Sequence, residues 1–165
     1  MSYQRSSIGK VAGAVAGVGL LAGGLSACGA DSEAAAPRGE IIEAAALTDQ
    51  LAVTDVDKPG VSLGDTTVYS GGIHRDGRRV GHGGGACQNV HIEGDAITMQ
   101  CVLTAQLERG SLIMQAVWVQ GTSPLDLAIT GGTGDYRDAS GIARFWDIGT
   151  PDERMRAEIT LPADE

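Results

Sequence analysis

The stretch AITMQCVLTAQLE, residues 96–108, decides the fold class because its side chains alternate between apolar and polar along almost the whole segment. A period of two places every second side chain on the same face of a β-strand. Val102 is out of phase with this pattern. The apolar face carries Ile97, Met99, Cys101, Leu103, Ala105 and Leu107. We therefore predict a strand with one face in the core and the other in water.

Similar short segments, separated by turn residues, fill the chain after about residue 47. The sequence has 25 glycines and 5 prolines, and no long window has a helical period. This pattern is typical of all-β proteins, and the short connections favour an up-and-down antiparallel β-barrel of about eight strands. The predicted strands cover approximately residues 48–56, 64–74, 79–92, 96–108, 111–120, 125–130, 141–148 and 154–161.

The first 27 residues have the parts of an export signal. Arg5 and Lys10 precede an apolar segment, residues 11–24, which is shorter than the roughly 20 residues of a membrane-spanning helix. The sequence LSAC, residues 25–28, then matches a bacterial lipobox, in which Cys28 is acylated and anchors the protein. The alternative is a plain signal peptide with an accidental Cys after the cleavage site. We predict a lipoprotein signal peptide at 1–27, lipidation at Cys28, and an exported protein on the outer face of the cell membrane.

The segment after the predicted lipidation site is small, polar and acidic. Residues 28–46 predict a flexible tether, in which EIIEAAAL, residues 40–47, is compatible with a short helix. The remaining 47–165 predict a single domain, and roughly 120 residues are enough for one hydrophobic core.

The charge of the protein argues against two classes of partner. The formal net charge is −9, and removal of Arg5 and Lys10 with the signal peptide leaves −11. So acidic a surface repels nucleic acid and anionic lipid head groups. We expect no nucleic-acid partner, and membrane contact through the lipid anchor only.

Two cysteines lie symmetrically about a predicted turn. Antiparallel pairing around a three-residue turn EGD, residues 93–95, places Ile92 opposite Ala96 and Cys87 opposite Cys101. In an exported protein this arrangement predicts a disulfide. Two buried, reduced cysteines are the alternative. No metal site is predicted, because neither Cys has a neighbouring Cys or His at zinc-type spacing.

The next predicted turn sets the face of a tryptophan. A turn at ERGS, residues 108–111, pairs Leu107 with Leu112 and brings Trp118 opposite Cys101. Trp118 then shares its face with Met99, Leu103 and Met114. This face is either a filled core or the wall of a cavity.

The glycine-rich segment LAITGGTGDYRDASG, residues 127–141, invites a nucleotide-binding interpretation. A dinucleotide fingerprint must open a helix, and the residues after Gly134 are too few and too polar to form one. We interpret the glycines as a tight corner between two strands.

Few of the titratable residues show a catalytic spacing. His74, His82 and His91 have no nucleophile or second ligand nearby in sequence, which favours ordinary polar roles. By contrast, three carboxylates interrupt apolar segments and are candidates to point inward with a raised pKa. They are Asp65, Asp126 and Asp147.

Four segments in order carry a family resemblance: Gly64-Asp65, then DGRRVGHGGGAC (76–87), LERGSLIMQAVWV (107–119) and LAITGGTGDYRDASG. Over about residues 47–161 they resemble the barrel superfamily of plant allene oxide cyclases, dirigent proteins and their actinobacterial relatives. The resemblance implies an eight-stranded barrel with an apolar cavity and catalysis without a metal or redox cofactor. Such a cavity would act by holding a reactive conformer of its substrate, with a modest polar contribution.

The resemblance is not equal across this superfamily. Allene oxide cyclases carry a Glu and an Asn on the first strand where this chain has Ala52 and Thr54, so that particular reaction is not predicted. The segments 110–119, 141–149 and 155–161 look more similar to bacterial cyclases that form spirotetronate rings by Diels–Alder-type cycloaddition.

The pockets of those cyclases use Trp, Tyr and Met side chains. The resemblance therefore implies Trp118 as a catalytic residue, with Gln120 on the same face as a hydrogen-bond donor to a substrate carbonyl. The implied substrate-binding residues are Met99, Leu103, Met114, Trp146, Phe145 and Tyr69.

Two functions follow as hypotheses. The first is a cofactor-free cyclase that folds a hydrophobic linear polyene or polyketide in the cavity and promotes an intramolecular cycloaddition. The alternative, favoured by the lipobox, is a non-catalytic cell-envelope protein that binds a hydrophobic small molecule or a partner. The resemblance also implies a homodimer or homotrimer.

Overall fold

The computed structural model describes residues 36–163, which form eight β-strands and one turn of 3-10 helix, Gly134–Tyr136. The predicted signal peptide and Cys28 lie outside the described residues, so both stay predictions. The strands are β1 (Arg38–Thr54), β2 (Thr66–Arg75), β3 (Arg78–Glu93), β4 (Ala96–Leu107), β5 (Gly110–Val119), β6 (Leu125–Gly132), β7 (Ser140–Trp146) and β8 (Arg154–Leu161).

The sheet closes on itself. Each strand pairs antiparallel with the next one in sequence, and β1 also pairs antiparallel with β8. This closed eight-stranded barrel confirms the predicted fold class. Within residues 36–163, no helix is long and apolar enough to cross a membrane.

Strand β1 begins at Arg38, so the tether predicted through residue 46, with its possible short helix, is wrong for residues 38–46. Ile42 is 2% exposed and Ala44 packs against the core, whereas Ile41 is 56% exposed. The period of two is therefore present in the sequence. The alanines make this alternation hard to recognise, because alanine favours a helix and differs little in hydrophobicity from its polar neighbours.

Strands β3 and β4 place Cys87 opposite Cys101, and a disulfide joins the two. The disulfide prediction is confirmed, but the turn beyond it differs from the predicted one. The turn has two residues instead of three, so Ile92 pairs with Ile97 rather than with Ala96. A β-bulge between Asn89 and His91 absorbs the difference of one residue before the strands reach the cysteines.

The turn between β4 and β5 is also shorter than predicted. Leu107 pairs with Gly110 rather than with Leu112, and Trp118 lies opposite Met99 rather than Cys101. The register differs by two residues, and a shift of two leaves each side chain on its predicted face. Trp118 and Met99 therefore still point into the barrel.

The two ends of the barrel differ. We call the end with the β2–β3, β4–β5 and β6–β7 connections the closed end, since Tyr136 is buried there at 2% exposure. Arg109 donates hydrogen bonds to the Tyr136 hydroxyl at 3.0 Å and to the Glu40 carboxylate at 2.5 Å. The opposite end, which carries the β1–β2, β3–β4, β5–β6 and β7–β8 connections, is the open end.

The glycines of the GGTG segment, residues 131–134, allow close packing at the closed end. A Cβ atom at Gly132 would lie 2.1 Å from the carbonyl oxygen of Ser111. Gly134 has a φ of +60°, and a Cβ atom there would lie 2.3 Å from the carbonyl oxygen of Arg109. The segment thus forms the tight corner that we interpreted from the sequence.

Candidate functional site

A cavity of about 320 Å³ occupies the open half of the barrel. This volume lies at the lower end of the range of about 300–1,000 Å³ that is usual for small-molecule sites. Its apolar wall includes Leu51, Cys87, Met99, Leu103, Trp118, Leu125, Phe145 and Ile148. Its polar side chains are Thr48, Thr67, Tyr69, Gln120 and Glu153.

Most of the residues predicted for the site meet in this cavity. Met114 is buried at 2% exposure and lines a smaller cavity that adjoins the first. Cys87 lines the large cavity, so the disulfide forms part of its wall. The predicted residues that line the large cavity are Trp118, Gln120, Met99, Leu103, Phe145 and Tyr69.

Trp146 lies on the outside of the barrel, so the prediction that it contacts a substrate in the cavity is wrong. Its neighbour Phe145 points inward and is 6% exposed, and consecutive side chains of a strand face opposite sides. The guanidinium carbon of Arg154, on the adjacent strand, lies 5.3 Å from the centre of the Trp146 ring. Trp146 therefore makes a cation–π contact at the outer surface.

The indole of Trp118 is fixed in place by its own polar atom. Its Nε1–H donates a hydrogen bond of 2.9 Å to the carbonyl oxygen of Thr122, in the β5–β6 connection. The ring is therefore available to a ligand by packing rather than by hydrogen bonding. By contrast, the side-chain amide of Gln120 makes no hydrogen bond within the described residues, which leaves it able to donate to a bound molecule.

Glu153 is the buried carboxyl group of the cavity. It precedes β8, is 8% exposed, and accepts a hydrogen bond of 2.8 Å from the backbone N–H of Gly149. Burial raises the pKa of Glu153, and the bond from Gly149 opposes this effect in part. Burial therefore extends the pH range over which this carboxyl group holds its proton, and the protonated form can donate that proton to a ligand.

Tyr69 is the second buried acid of the cavity. Burial raises the pKa of its phenol, and the nearby charge of Glu153 raises it further. Tyr69 consequently stays protonated across the physiological range of pH and can donate a hydrogen bond. Tyr69 and Glu153 together give an otherwise apolar cavity a phenol that donates a hydrogen bond and a carboxyl group whose pKa is raised.

The sequence reasoning missed Glu153, although a signal for it exists. Met155, Ala157 and Ile159 are buried and alternate along β8. Extending this period of two backwards by one step reaches Glu153, which the polar turn sequence TPDER, residues 150–154, disguises as a surface residue.

The three carboxylates that we considered for inward positions have other roles. Asp65 is buried, but it accepts hydrogen bonds from the backbone N–H groups of Val56 and Ser62, and so orders the β1–β2 connection. Asp126 faces outward and pairs with Arg144, which lowers the pKa of its carboxyl group. Asp147 is exposed, with a carboxylate oxygen 3.5 Å from Nε of Arg154. Within residues 36–163, no cluster of His, Cys, Asp and Glu could hold a metal ion.

Replacing Glu153 with glutamine should stabilise the protein at neutral pH. In the unfolded chain, Glu153 loses its proton as the pH rises past about 4.3. In the folded protein its pKa is raised, so the proton is held to a higher pH. Between these two pKa values, the free energy of unfolding of the wild type therefore falls as the pH rises. Glutamine cannot ionise and still offers an acceptor to Gly149. We expect the gain in Tm over wild type to grow as the pH rises above about 4.3, where the unfolded chain ionises, and to level off once the folded carboxyl group has also ionised. Thermal melts of both proteins measure this; a difference in Tm that does not vary with pH would contradict it.

Comparison with known proteins assigns the family. The domain model described as "Allene oxide cyclase barrel like domain" matches residues 45–161. The chain therefore belongs to the allene oxide cyclase barrel-like family, as the sequence resemblance predicted. A search of curated protein sequences finds no match.

Several solved structures share the barrel. A structure described as pyocyanin demethylase is 32% identical, with a TM-score of 0.69, over 73% of this chain and 99% of that chain. The Diels–Alderase AbmU from Streptomyces koyangensis is 17% identical, with a TM-score of 0.58, over 75% of this chain and 64% of that one. The pterocarpan synthase dirigent protein PsPTS1 is 16% identical, with a TM-score of 0.57, over 78% and 97%. The last two share the fold.

Proposed function

We propose that this protein is an enzyme that holds a planar, largely apolar ring compound in the open-end cavity and acts on it with its own side chains. The observation that carries the proposal is the combination of an apolar cavity with two buried acids, Glu153 and Tyr69. A ring packs against Trp118 and Phe145, while Glu153 and Tyr69 donate to its nitrogen or oxygen atoms. Beside apolar walls, such donors act more strongly than in bulk water on charge that develops during a reaction.

The reaction that we favour is dealkylation of a nitrogen heterocycle of the phenazine type. The similarity to pyocyanin demethylase supports it, because the match spans 99% of that chain at 32% identity. Pyocyanin is a compact, planar, N-methylated ring system, and a cavity of about 320 Å³ suits such a molecule better than a long chain. With one water molecule the methyl carbon leaves as formaldehyde, and the two electrons of this oxidation remain on the conjugated ring, which is thereby reduced. The ring nitrogen that loses the methyl group takes up a proton, and Glu153 is the candidate donor.

The cyclase that the sequence predicted is the second candidate. A cycloaddition needs no ionised residue, and the free amide of Gln120 can donate to a carbonyl group of the dienophile. The shared barrel of AbmU agrees with this function at the level of the fold. The lipid anchor and the dimer or trimer stay predictions under either function.

The test incubates the purified protein with pyocyanin, with and without an added electron acceptor, and separately with a linear tetronate-type polyene. Loss of the methyl group, detected by mass spectrometry, is the expected result, and ring closure of the polyene instead would favour the cyclase. Trp118→Ala should abolish conversion. Val117→Ala is the matched control, since Val117 precedes Trp118 on the same strand and is 64% exposed. Binding of either compound without conversion would overturn the enzyme proposal and favour the non-catalytic alternative.

A further inference from the structure

A second cavity, of about 50 Å³, lies deeper in the barrel than the first. The two adjoin, because the walls of both include Thr48, Tyr69, Leu103, Phe145 and Glu153. A molecule that fills the large cavity therefore reaches the small one past the carboxyl group of Glu153 and the phenol of Tyr69.

Three small residues line this space. Gly71, Gly83 and Ala105 lie side by side on β2, β3 and β4, and all three line the small cavity. Two residues nearer the open end on β2 and β4, the inward-pointing side chains are the larger Tyr69 and Leu103. A Cβ atom at Gly71 would lie 2.4 Å from the carbonyl oxygen of Leu47, so the backbone of β1 fills that side, and the open space lies beside Gly83 and Ala105.

The deeper wall of the small cavity is apolar. Ile73, Met114 and Met155 line it and are 4%, 2% and 5% exposed. Apolar walls of this kind accept apolar groups. At about 10–15 Å³ for each water-sized group, this volume takes about three to five non-hydrogen atoms.

We propose that the small cavity is a subsite for a short, unbranched alkyl group carried by the ring that the large cavity binds. The proposal rests on the proposed function and adds to it a limit on the length of the alkyl group that the substrate carries. Gly83 and Ala105 set the longest alkyl group that fits. Glu153 and Tyr69, at the junction, lie beside the ring atom that bears this group.

The experiment measures Kd for pyocyanin and its N-ethyl, N-propyl and N-butyl homologues. Quenching of Trp118 fluorescence in a Trp146→Phe background reports binding in the large cavity. For the parent protein, affinity should rise with alkyl length to about propyl and then fall.

Two variants should shift this optimum in opposite directions. A Cβ atom at Gly83 would lie 3.3 Å from the Thr104 carbonyl oxygen and 3.6 Å from Ile73 Cδ1, so alanine fits after a small adjustment and fills part of the subsite. Gly83→Ala should weaken binding of the propyl compound about tenfold and leave the methyl compound unchanged. Ala105→Gly should admit one further carbon. Gly39→Ala, on an exposed strand position with nothing within 4 Å of its Cβ, is the control.

Each outcome decides the proposal. If all proteins bind the ring with the same dependence on alkyl length, the subsite is wrong and the proposed function stands. If the parent protein binds no member of the series, both are wrong. Should Gly83→Ala fail to fold, the Ala105→Gly variant decides by itself, because it predicts a longer optimum rather than a loss.

Discussion

Glu153→Gln is expected to lower kcat for the substrate converted in the cavity by about a hundredfold or more, with little change in KM. The carboxyl group is buried among apolar side chains, which raises its pKa and favours its protonated form, and glutamine has no proton to transfer. Loss of a positioned proton donor typically costs about 10²–10⁴ in rate. The shape of the cavity and the contact with Gly149 are kept, so binding should persist. Steady-state kinetics separate the two parameters.

The pH profile tests the same role by a second route. A proton donor must be protonated, so wild-type kcat should fall as the pH rises through the raised pKa of Glu153. The glutamine variant should lack this fall. Glu108→Gln is the matched control, because Glu108 is exposed in a turn at the closed end. A Glu153→Gln enzyme with wild-type kcat and an unchanged profile would show that the carboxyl group takes no part in proton transfer.

Removal of the disulfide, as Cys87→Ala with Cys101→Ala, is expected to cost about 3 kcal/mol of unfolding free energy. The bridge closes a short loop, its cysteines being 14 residues apart in sequence, and such a constraint reduces the freedom of the unfolded chain. Cys101 is fully buried, so the smaller alanines also leave unfilled space in the core. For a domain of this size, the Tm should fall by about 10 °C. Urea unfolding gives the free energy directly.

The reductant dithiothreitol supplies the control for this prediction. It should destabilise the wild-type barrel towards the variant and leave the double variant unchanged. Equal unfolding midpoints for oxidised wild type and the double variant would mean that the β3–β4 ladder holds the strands without help from the bridge.

Much of the barrel could be predicted from the sequence because inward positions need only a period of two. The inward orientation of Met99, Leu103 and Trp118 was predicted correctly although the predicted register was wrong by two residues, because an even shift leaves each side chain on the same face. The pairing of Cys87 with Cys101 was also predicted correctly, although the predicted turn was one residue too long. The bulge between Asn89 and His91 restores the register before the cysteines. Bulges have weak sequence signals, so this agreement depended on an irregularity that the pattern did not reveal.

The site was harder to predict because it depends on the fold around it. Phe145 and Trp146 are adjacent aromatics, and only tertiary packing decides that the smaller one faces inward. Glu153 has the sequence context of an exposed turn residue. The β7–β8 connection nevertheless places it in the wall of the open-end cavity, where burial raises its pKa. The small cavity lies beside Gly83 and Ala105, which are on different strands. Local sequence patterns do not report such juxtapositions.

The ladder between β1 and β8 determines when this protein can complete its fold during synthesis. The other ladders join consecutive segments, so each hairpin can form once its two strands have been made. The partner of Arg38 is Leu161, and barrel closure must therefore wait for residues 154–161. Before that point the growing chain is a curved sheet with two unpaired edges, the form most exposed to pairing with other chains. A chain that stops before Arg154 should accordingly aggregate rather than form a smaller barrel.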